Sequence, residues 1–179
     1  MNQARKNILI TGLPGVGKTT AVIRLAEALR NFHPAGFYTS EIRDASVRQG
    51  FELVSFDGQR ALLSHVTMKG PYRVGRYGVD IRGFEDFLGA LDFAGREKGL
   101  AMIDEIGKME CYSERFTKLV KDLLDSGKPV IATIALKGEG FISGVKKRGD
   151  VDLFELTQAN RTTLAGELAH SLRTLLERR

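Results

Sequence analysis

The segment 7–20 limits what this chain can fold into more than any other part of its 179 residues. It reads NILITGLPGVGKTT: an apolar run typical of a strand, then the pattern G-x-x-x-x-G-K-[ST], then the start of a helical pattern. That succession of strand, loop and helix is the setting in which a Walker A loop binds phosphate. A glycine-rich turn that matches by accident is the alternative, and the strand and helix patterns on either side argue against it. The segment therefore predicts a nucleoside phosphate as ligand.

Each residue type in this loop has a role in holding phosphate. Gly12, Gly15 and Gly17 let the backbone curl until several N–H groups point at phosphate oxygens. Lys18 brings a mobile positive charge to the β- and γ-phosphates, and the Thr19 hydroxyl is a ligand for Mg²⁺. We therefore predict Mg²⁺ as cofactor, and a nucleotide-binding set made of Gly12, Leu13, Pro14, Gly15, Val16, Gly17, Lys18, Thr19 and Thr20.

Strand and helix patterns alternate along the chain. Strand-like apolar runs cover 7–11, 100–104, 129–136 and 151–156. Amphipathic runs predict helices over 20–30, 84–98, 113–126 and 160–176, the last with Asn160 as its N-cap. Strands that alternate with helices indicate an α/β fold. Its mainly parallel sheet would be covered on both faces and would bind ligands at the carboxyl ends of the strands.

A second group of strand patterns lies after the first predicted helix. The runs 36–43, 50–56 and 60–66 have strand character, and Asp57-Gly58 between the last two is a strong signal for a two-residue hairpin turn. Residues 36–66 are therefore predicted to be an antiparallel insertion beside the main sheet. No linker or repeat divides the sequence, so we expect a single P-loop NTPase domain over 1–179.

Two carboxylates follow the apolar run 100–103. Asp104, at the strand's end, fits the Walker B position, where it would hold Mg²⁺ through the metal's water shell opposite Thr19. Glu105 is placed to polarise a water for in-line attack on the γ-phosphate. We therefore predict Thr19 and Asp104 as metal ligands, and Lys18 and Glu105 as catalytic residues. An Asp-Glu pair that only caps the strand or faces solvent is the alternative.

Other polar residues are weaker candidates for the reaction. The run 104–107 also fits the D-x-x-G pattern of regulatory GTPases, but the chain contains no N-K-x-D element to select guanine. Thr133 either contacts the γ-phosphate or the attacking water, if its strand lies between the two Walker strands, or is satisfied by its neighbours. With no evident arginine finger, we expect slow turnover. Spacing does not choose among the arginine candidates Arg43, Arg73, Arg76, Arg148 and Arg161.

The composition is that of a globular protein with a moderate basic excess. A net charge of +5 and a pI near 9.4 favour anionic partners, and nucleotides qualify as well as nucleic acids. The basic cluster 146–148 has no interleaved aromatics and is typical of a solvated helix face, so RNA or DNA binding stays open but unsupported. No run approaches the about 20 apolar residues of a membrane span and no signal-peptide pattern is present, so we expect no membrane partner and a cytoplasmic location. The single Cys111 is expected to be a partly buried free thiol.

Several motifs together resemble one known family. They are GLPGVGKT at 12–19, GFYTSEIR at 36–43, GF at 50–51, VGRYGVD at 74–80 and DEIGKME at 104–110. The combination is similar to the THEP-type nucleoside-triphosphatases from about Lys6 to the last helix. The resemblance implies a RecA-like three-layer core, Mg²⁺ dependence, slow hydrolysis of several NTPs, and Walker B and base roles for Asp104 and Glu105. Family members usually have an aliphatic residue where this chain has Cys111.

Three functions are consistent with the sequence. The leading one is a Mg²⁺-dependent nucleoside-triphosphatase of broad base specificity that hydrolyses ATP, GTP, CTP and UTP to NDP and phosphate. The second is a nucleotide or RNA kinase, in which 138–148 would form a lid and Glu41 and Arg43 would contact the acceptor. The third is a module whose nucleotide state sets its affinity for RNA or a protein. The preferred base and the oligomeric state are left open.

Overall fold

Nine β-strands and five α-helices build residues 6–178, the part of the chain that the computed structural model describes. The strands are β1 (Asn7–Thr11), β2 (Ala35–Asp44), β3 (Val47–Ser55), β4 (Arg60–His65), β5 (Arg73–Val74), β6 (Tyr77–Val79), β7 (Ala101–Ile106), β8 (Val130–Ile134) and β9 (Val151–Glu155). The helices are α1 (Lys18–Ala28), α2 (Ile81–Ala90), α3 (Glu114–Asp125), α4 (Phe141–Lys146) and α5 (Leu164–Leu176). None of these described helices combines the length and apolar character that a membrane span requires.

All nine described strands belong to one sheet, in the order β5-β6-β4-β3-β2-β7-β8-β1-β9. The strands from β2 to β9 in this order pair in parallel, whereas β3, β4, β5 and β6 are added antiparallel. Strand β8 separates β1 from β7, so the two predicted Walker strands are not neighbours. This arrangement confirms the expected α/β fold, with a mainly parallel central sheet and antiparallel strands beside it.

Helices cover both faces of the sheet because its central strands are apolar on both sides. Ile8 and Ile10 of β1 pack in one core with α1 and α5, while Leu9 between them faces the other core with α2, α3 and α4. Every residue of β1 and of β8 is buried. Full burial of one such Ile or Leu side chain contributes about 1.5–3 kcal/mol. The centre of the sheet is therefore a rigid platform for the loops at its carboxyl edge.

Strand β2 joins the parallel and antiparallel parts of the sheet. It pairs with β7 only over Ala35–Phe37, but with β3 as far as the pair Asp44–Val47. Its later residues therefore continue with β3 on the carboxyl side of the parallel strands. A turn at 56–59 closes the predicted β3–β4 hairpin. The predicted insertion is thus a continuation of the main sheet, since β2 is hydrogen-bonded to both parts.

Helix α2 lies earlier than the predicted range 84–98. Asp80 caps its start by accepting a hydrogen bond from the Gly83 N–H at 2.9 Å, a cap that the apolar spacing did not indicate. The helix stops before Leu91, which is extended, and a turn closed by the Asp92 side chain follows. The prediction is therefore wrong for the second half of that range.

The start of α5 was also misplaced. The helix begins after Thr163, and the predicted N-cap, Asn160, lies in the preceding turn. There its side chain accepts from the Thr157 N–H at 2.8 Å and donates to the Glu155 carbonyl at 2.9 Å. Asn160 is wrong as a helix cap because its side chain closes the turn after β9 instead.

Helix α4 (Phe141–Lys146) lies within the segment 138–148 that the kinase alternative assigns to a lid. Ile142 and Val145 on this helix are 4% and 5% exposed and pack into the core shared with α2 and α3. The segment is therefore held against the sheet through its apolar side chains.

Candidate active site

The loop between β1 and α1 has the backbone shape of a phosphate cradle. Gly12, Gly15 and Gly17 have φ values of 154°, 76° and 109°, which residues with a Cβ rarely adopt. Gly17 is also the N-cap of α1, and no side chain of the described residues caps this end of the helix. The first N–H groups of α1 are therefore available to an anion, and the helix dipole favours negative charge there.

Lys18 connects this loop with strand β7. It is the first residue of α1, two positions before the predicted helix start. Its Nζ donates to the Gly12 carbonyl at 3.3 Å and lies 3.5 Å from Glu105 Oε2. Only 11% of the Lys18 side chain is exposed. The ammonium group thus lies between the loop backbone and the predicted base.

Asp104 is the polar centre of the site and is 1% exposed. Its Oδ2 accepts from the Thr19 hydroxyl at 2.7 Å, and from the N–H and the hydroxyl of Thr39 at 3.3 and 3.2 Å. Its Oδ1 accepts from the Thr133 hydroxyl at 2.6 Å. Three threonines from α1, β2 and β8 therefore fix the orientation of this carboxylate.

Strand order explains the position of two of these threonines. Thr133 is on β8, which lies between β7 and β1, the condition that the prediction set for a contact with phosphate or water. Its hydroxyl donates to Asp104, so Thr133 acts on the site through that carboxylate. Thr39 is a contact that the motifs missed. Nothing in the run 36–43 shows that β2 lies beside β7.

The Thr19–Asp104 pair fits a hard divalent cation. Both residues supply oxygen atoms, 2.7 Å apart, beside the helix N-terminus that would hold the phosphates. Within residues 6–178, no ion pair with a lysine or arginine side chain neutralises Asp104. Mg²⁺ prefers oxygen ligands and keeps several of its waters, so it suits this donor set.

Glu105 follows Asp104 at the mouth of the site, and 29% of its side chain is exposed. The peptide bond between the two residues is cis. Burial raises the pKa of the Glu105 carboxyl above its ordinary value; the nearby Lys18 opposes the rise and the charge of Asp104 adds to it. A carboxylate with a raised pKa is a stronger base. Glu105 is therefore suited to accept a proton from water.

Glu110 is a site residue that the sequence motifs did not single out. It is 5% exposed, and burial raises the pKa of its carboxyl to about 8 despite hydrogen bonds from backbone N–H groups. A Cβ added to Gly107 would lie 2.7 Å from Glu110 Oε2 and 3.1 Å from Glu105 Oε1, so the two carboxyls meet over this glycine. With its pKa near 8, the Glu110 carboxyl carries its proton at neutral pH. The next residue, Cys111, is a half-buried free thiol, as expected.

A cavity of about 670 Å³ opens over these residues. It begins at the phosphate loop, with Lys18 and Thr19, and passes Glu105 and Glu110 at the end of β7. It then continues along β2, β3, β4 and β5. This volume lies in the range of sites for small organic ligands.

None of the five predicted arginine candidates lines this cavity. Arg73 and Arg76 donate to backbone carbonyls in the antiparallel part of the sheet, and Arg148 pairs with two aspartates. The cavity is lined instead by Arg48, which forms an ion pair with Glu41. Its position beside the cavity depends on the β2–β3 pairing, for which spacing along the chain carries no signal.

The fold and the site define a P-loop NTPase of the RecA-like kind. A glycine-rich loop links β1 to α1, carboxylates lie on β7, and β8 runs between those two strands. The chain belongs to the NTPase family, whose family model matches residues 7–169.

Named relatives are similar along nearly the whole chain. The nucleoside-triphosphatase THEP1 of Thermotoga maritima is 42% identical over 167 residues, which cover 93% of this chain and 95% of that protein. The cancer-related nucleoside-triphosphatase of Homo sapiens is 36% identical over 179 residues, with 91% and 94% covered. The crystal structure of THEP1 from the hyperthermophile Aquifex aeolicus has a TM-score of 0.84 at 34% identity and covers 93% of this chain and 98% of its own. The predicted family resemblance is confirmed.

Proposed function

We propose that this chain is a Mg²⁺-dependent nucleoside-triphosphatase that hydrolyses NTPs to NDP and phosphate. The observation that carries the proposal is the meeting of Lys18, Thr19, Asp104 and Glu105 where β1 and β7 end. Together these residues offer a positive charge for phosphate, two oxygen ligands for a metal and a base. The names of the relatives, which are nucleoside-triphosphatases, support the same reaction.

Phosphate binding rests on the loop and on Lys18. The N–H groups of the loop and of the first turn of α1 donate to phosphate oxygens, and Lys18 neutralises charge between the β- and γ-phosphates. Thr19 and Asp104 would hold Mg²⁺, which would supply further neutralisation of these oxygens. Thr133 keeps the Asp104 carboxylate oriented for that role. Catalysis is then mostly positioning and charge stabilisation of a loose transition state.

Glu105 supplies the base. It orients a water in line with the bond between the γ-phosphorus and the β–γ bridging oxygen. As the water oxygen bonds to phosphorus and the bridging bond breaks, Glu105 accepts the water's proton. The raised pKa of its carboxyl favours that transfer.

Broad base specificity and slow turnover are part of the proposal. The loop contacts reach only phosphates, and every NTP presents the same phosphates to them. Among the described residues that line the cavity, the one arginine is Arg48, which Glu41 holds on the antiparallel side. No arginine within residues 6–178 is therefore placed as a finger for the γ-phosphate, and P-loop enzymes without one turn over slowly.

Phosphate release from ATP, GTP, CTP and UTP with Mg²⁺ tests this function. We expect the wild type to hydrolyse all four. Glu105→Gln should bind nucleotide but lose about 100-fold or more in kcat, since general-base catalysis contributes about 10²–10⁴-fold. Glu27→Gln is the matched control, because Glu27 is exposed on α1. Failure of the wild type to release phosphate from any NTP would refute the proposal, and an unaffected Glu105→Gln would refute the role of Glu105.

A further inference from the structure

The cavity extends beyond the residues that bind triphosphate. Its other part, which we call the far chamber, is lined by Tyr38, Glu41, Arg48, Phe51, Leu63 and Val74. These residues lie on β2, β3, β4 and β5, whereas the phosphate loop follows β1 on the other side of β7. The far chamber therefore belongs to the antiparallel side of the sheet.

Distance separates the far chamber from the needs of hydrolysis. Neighbouring strands lie about 4.8 Å apart, so β3 and β4 stand about 10 and 14 Å from β7. The oxygen of an attacking water lies only about 3 Å from the base that accepts its proton. With the γ-phosphate at Glu105 and the remaining phosphates along the loop after β1, the phosphate chain of a bound NTP would run from β7 toward β1, away from β3 and β4. The far chamber thus opens on the side from which a nucleophile reaches the γ-phosphorus.

The walls of the far chamber suit the face of a planar ring. The Phe51 ring lies 5.5 Å from the ring of Tyr77, and the Arg48 guanidinium carbon is 5.2 Å from the Phe51 centroid. Leu63 is 1% exposed and Val74 is half-buried. Flat aromatic and aliphatic walls of this kind bind heterocyclic rings through dispersion and apolar burial.

The polar groups of the far chamber suit the edge of such a ring. The Glu41 carboxylate, which is paired with Arg48, offers hydrogen-bond acceptors. Arg48, which also lines the cavity, has further N–H donors on its guanidinium group. The far chamber therefore offers both acceptors and donors to the edge of a ring.

The charges argue against two other classes of acceptor. Glu41 carries one negative charge and contacts both Arg43 and Arg48, so this cluster keeps one positive charge. Within the far chamber Glu41 and Arg48 balance each other, and Arg43 does not line the cavity, so the chamber presents no unbalanced guanidinium to the phosphate of a nucleoside monophosphate. The surroundings of Leu63 are apolar, whereas an RNA chain needs a basic groove along its backbone. A neutral molecule with a planar ring and a hydroxyl fits best.

We propose that the far chamber binds a nucleoside and that this chain transfers the γ-phosphoryl group to the nucleoside's hydroxyl in competition with water. The inference rests on the proposed triphosphatase function, since the same loop, metal and base act. The hydroxyl oxygen bonds to the γ-phosphorus, the bond from that phosphorus to the β–γ bridging oxygen breaks, and the hydroxyl proton passes to Glu105. The products are an NDP and a nucleoside monophosphate.

Incubation with ATP radiolabelled at the γ-phosphate, Mg²⁺ and each of adenosine, guanosine, cytidine and uridine tests the transfer. We expect labelled nucleoside monophosphate beside labelled inorganic phosphate for at least one of the four. Val74→Trp, which fills the far chamber, should abolish the labelled monophosphate. Val47→Trp is the matched control, because Val47 is 50% exposed and lies outside the cavity. This control should form as much labelled monophosphate as the wild type.

The outcomes separate the two proposals. Labelled phosphate without any labelled monophosphate would overturn the nucleoside site and leave the triphosphatase standing. A Val74→Trp variant with unchanged transfer and a raised KM for ATP would also overturn it, because the far chamber would then hold the base of the NTP. Failure to form ADP would refute the triphosphatase proposal. In that case calorimetric titration with the same four nucleosides tests whether the far chamber binds a nucleoside, and the absence of binding would overturn the nucleoside site. Phe51→Leu replaces Val74→Trp if that variant does not fold.

Discussion

At the scale of single residues, the orientation of Asp104 depends on two threonines from neighbouring strands. Thr39 and Thr133 donate to its two oxygens from β2 and β8. Burial of a carboxylate without such donors costs several kcal/mol, so these hydroxyls lower the free-energy cost of burying the Asp104 charge. They also fix the direction in which its oxygens point, and so the position in which the proposed Mg²⁺ would be held.

Thr133→Val removes the hydroxyl and keeps the shape of the side chain. Because loss of a residue that orients a metal ligand costs about 10- to 100-fold in metal affinity or activity, we expect the Mg²⁺ concentration for half-maximal hydrolysis to rise by that order. Thr133→Ser keeps the donor and should stay close to wild type. Titration of the phosphate-release rate with Mg²⁺ checks this, and equal Mg²⁺ requirements for Val and wild type would contradict it.

Glu110 makes stability depend on pH with a definite sign. Its folded pKa of about 8 lies above the ordinary value of 4.5, so the native state keeps a proton that the unfolded chain releases between those values. Stability therefore falls as pH rises from about 5 to 8, and the loss is complete above about 8. Glu110→Gln, which does not titrate, should match the wild-type Tm near pH 5 and exceed it near pH 8.5.

Thermal unfolding of both proteins across this pH range is the measurement. Glu27→Gln, at an exposed position, is the control and should follow the wild type at every pH. If the wild type loses no more stability than Glu110→Gln as the pH rises from 5 to 8.5, the folded protein holds Glu110 ionised across that range.

The residues that carry the proposed chemistry differ in how far sequence motifs alone can identify them. Lys18, Thr19 and Asp104 belong to contiguous motifs whose spacing reflects phosphate and metal geometry, so the sequence alone is enough to propose them. The contact of Thr39 with Asp104 requires β2 to lie beside β7, and the burial of Glu110 requires the packed turn after β7. Such contacts depend on the tertiary arrangement, which local spacing does not encode.

At the scale of elements, strong local signals located most strands and helices. Strands β7 and β8 follow from unbroken apolar runs, and the β3–β4 hairpin follows from its Asp-Gly turn. Strands β5 and β6 are two and three residues long, too short for a periodic pattern, and they were missed. Helix ends were misplaced where side chains close turns, as around Asp92 and Asn160. The order of strands in the sheet was beyond local patterns altogether.

The pairing of β2 with β7 depends on one glycine. Gly36 has a φ of 137°, and a Cβ there would overlap the backbone carbonyl of Met102 on β7. Gly36→Ala should therefore lower the free energy of unfolding by about 2–4 kcal/mol, since both strain and a displaced strand pair contribute. Gly144→Ala, with open space around the new methyl group, is the control and should be neutral or slightly stabilising. Urea unfolding checks both, and equal midpoints for Gly36→Ala and wild type would contradict the argument.

At the scale of the whole molecule, the parallel and antiparallel parts of the sheet contribute different regions of the proposed site. The parallel strands carry the phosphate loop and the carboxylate proposed to hold Mg²⁺, and the antiparallel strands line the rest of the cavity. Hydrogen bonds to Asp104 join α1, β2 and β8 to β7, so the polar centre of the site links both parts. A ligand that engages this centre is therefore expected to stabilise the sheet as a unit.

Nucleotide with Mg²⁺ should accordingly raise the Tm of the whole fold more than nucleotide alone. A ligand that binds only the native state adds about 2.7 kcal/mol at a hundredfold excess over its Kd, which for a chain of this size is on the order of 5–10 °C. Glu105→Gln is the protein to use, because it should bind ATP without consuming it. For the Asp104→Asn variant, ATP should still raise the Tm, but by the same amount in Mg²⁺ as in EDTA. The same ATP-induced shift in Mg²⁺ and in EDTA for Glu105→Gln would mean that Thr19 and Asp104 do not hold the metal, since a metal bound between them couples phosphate binding to β7.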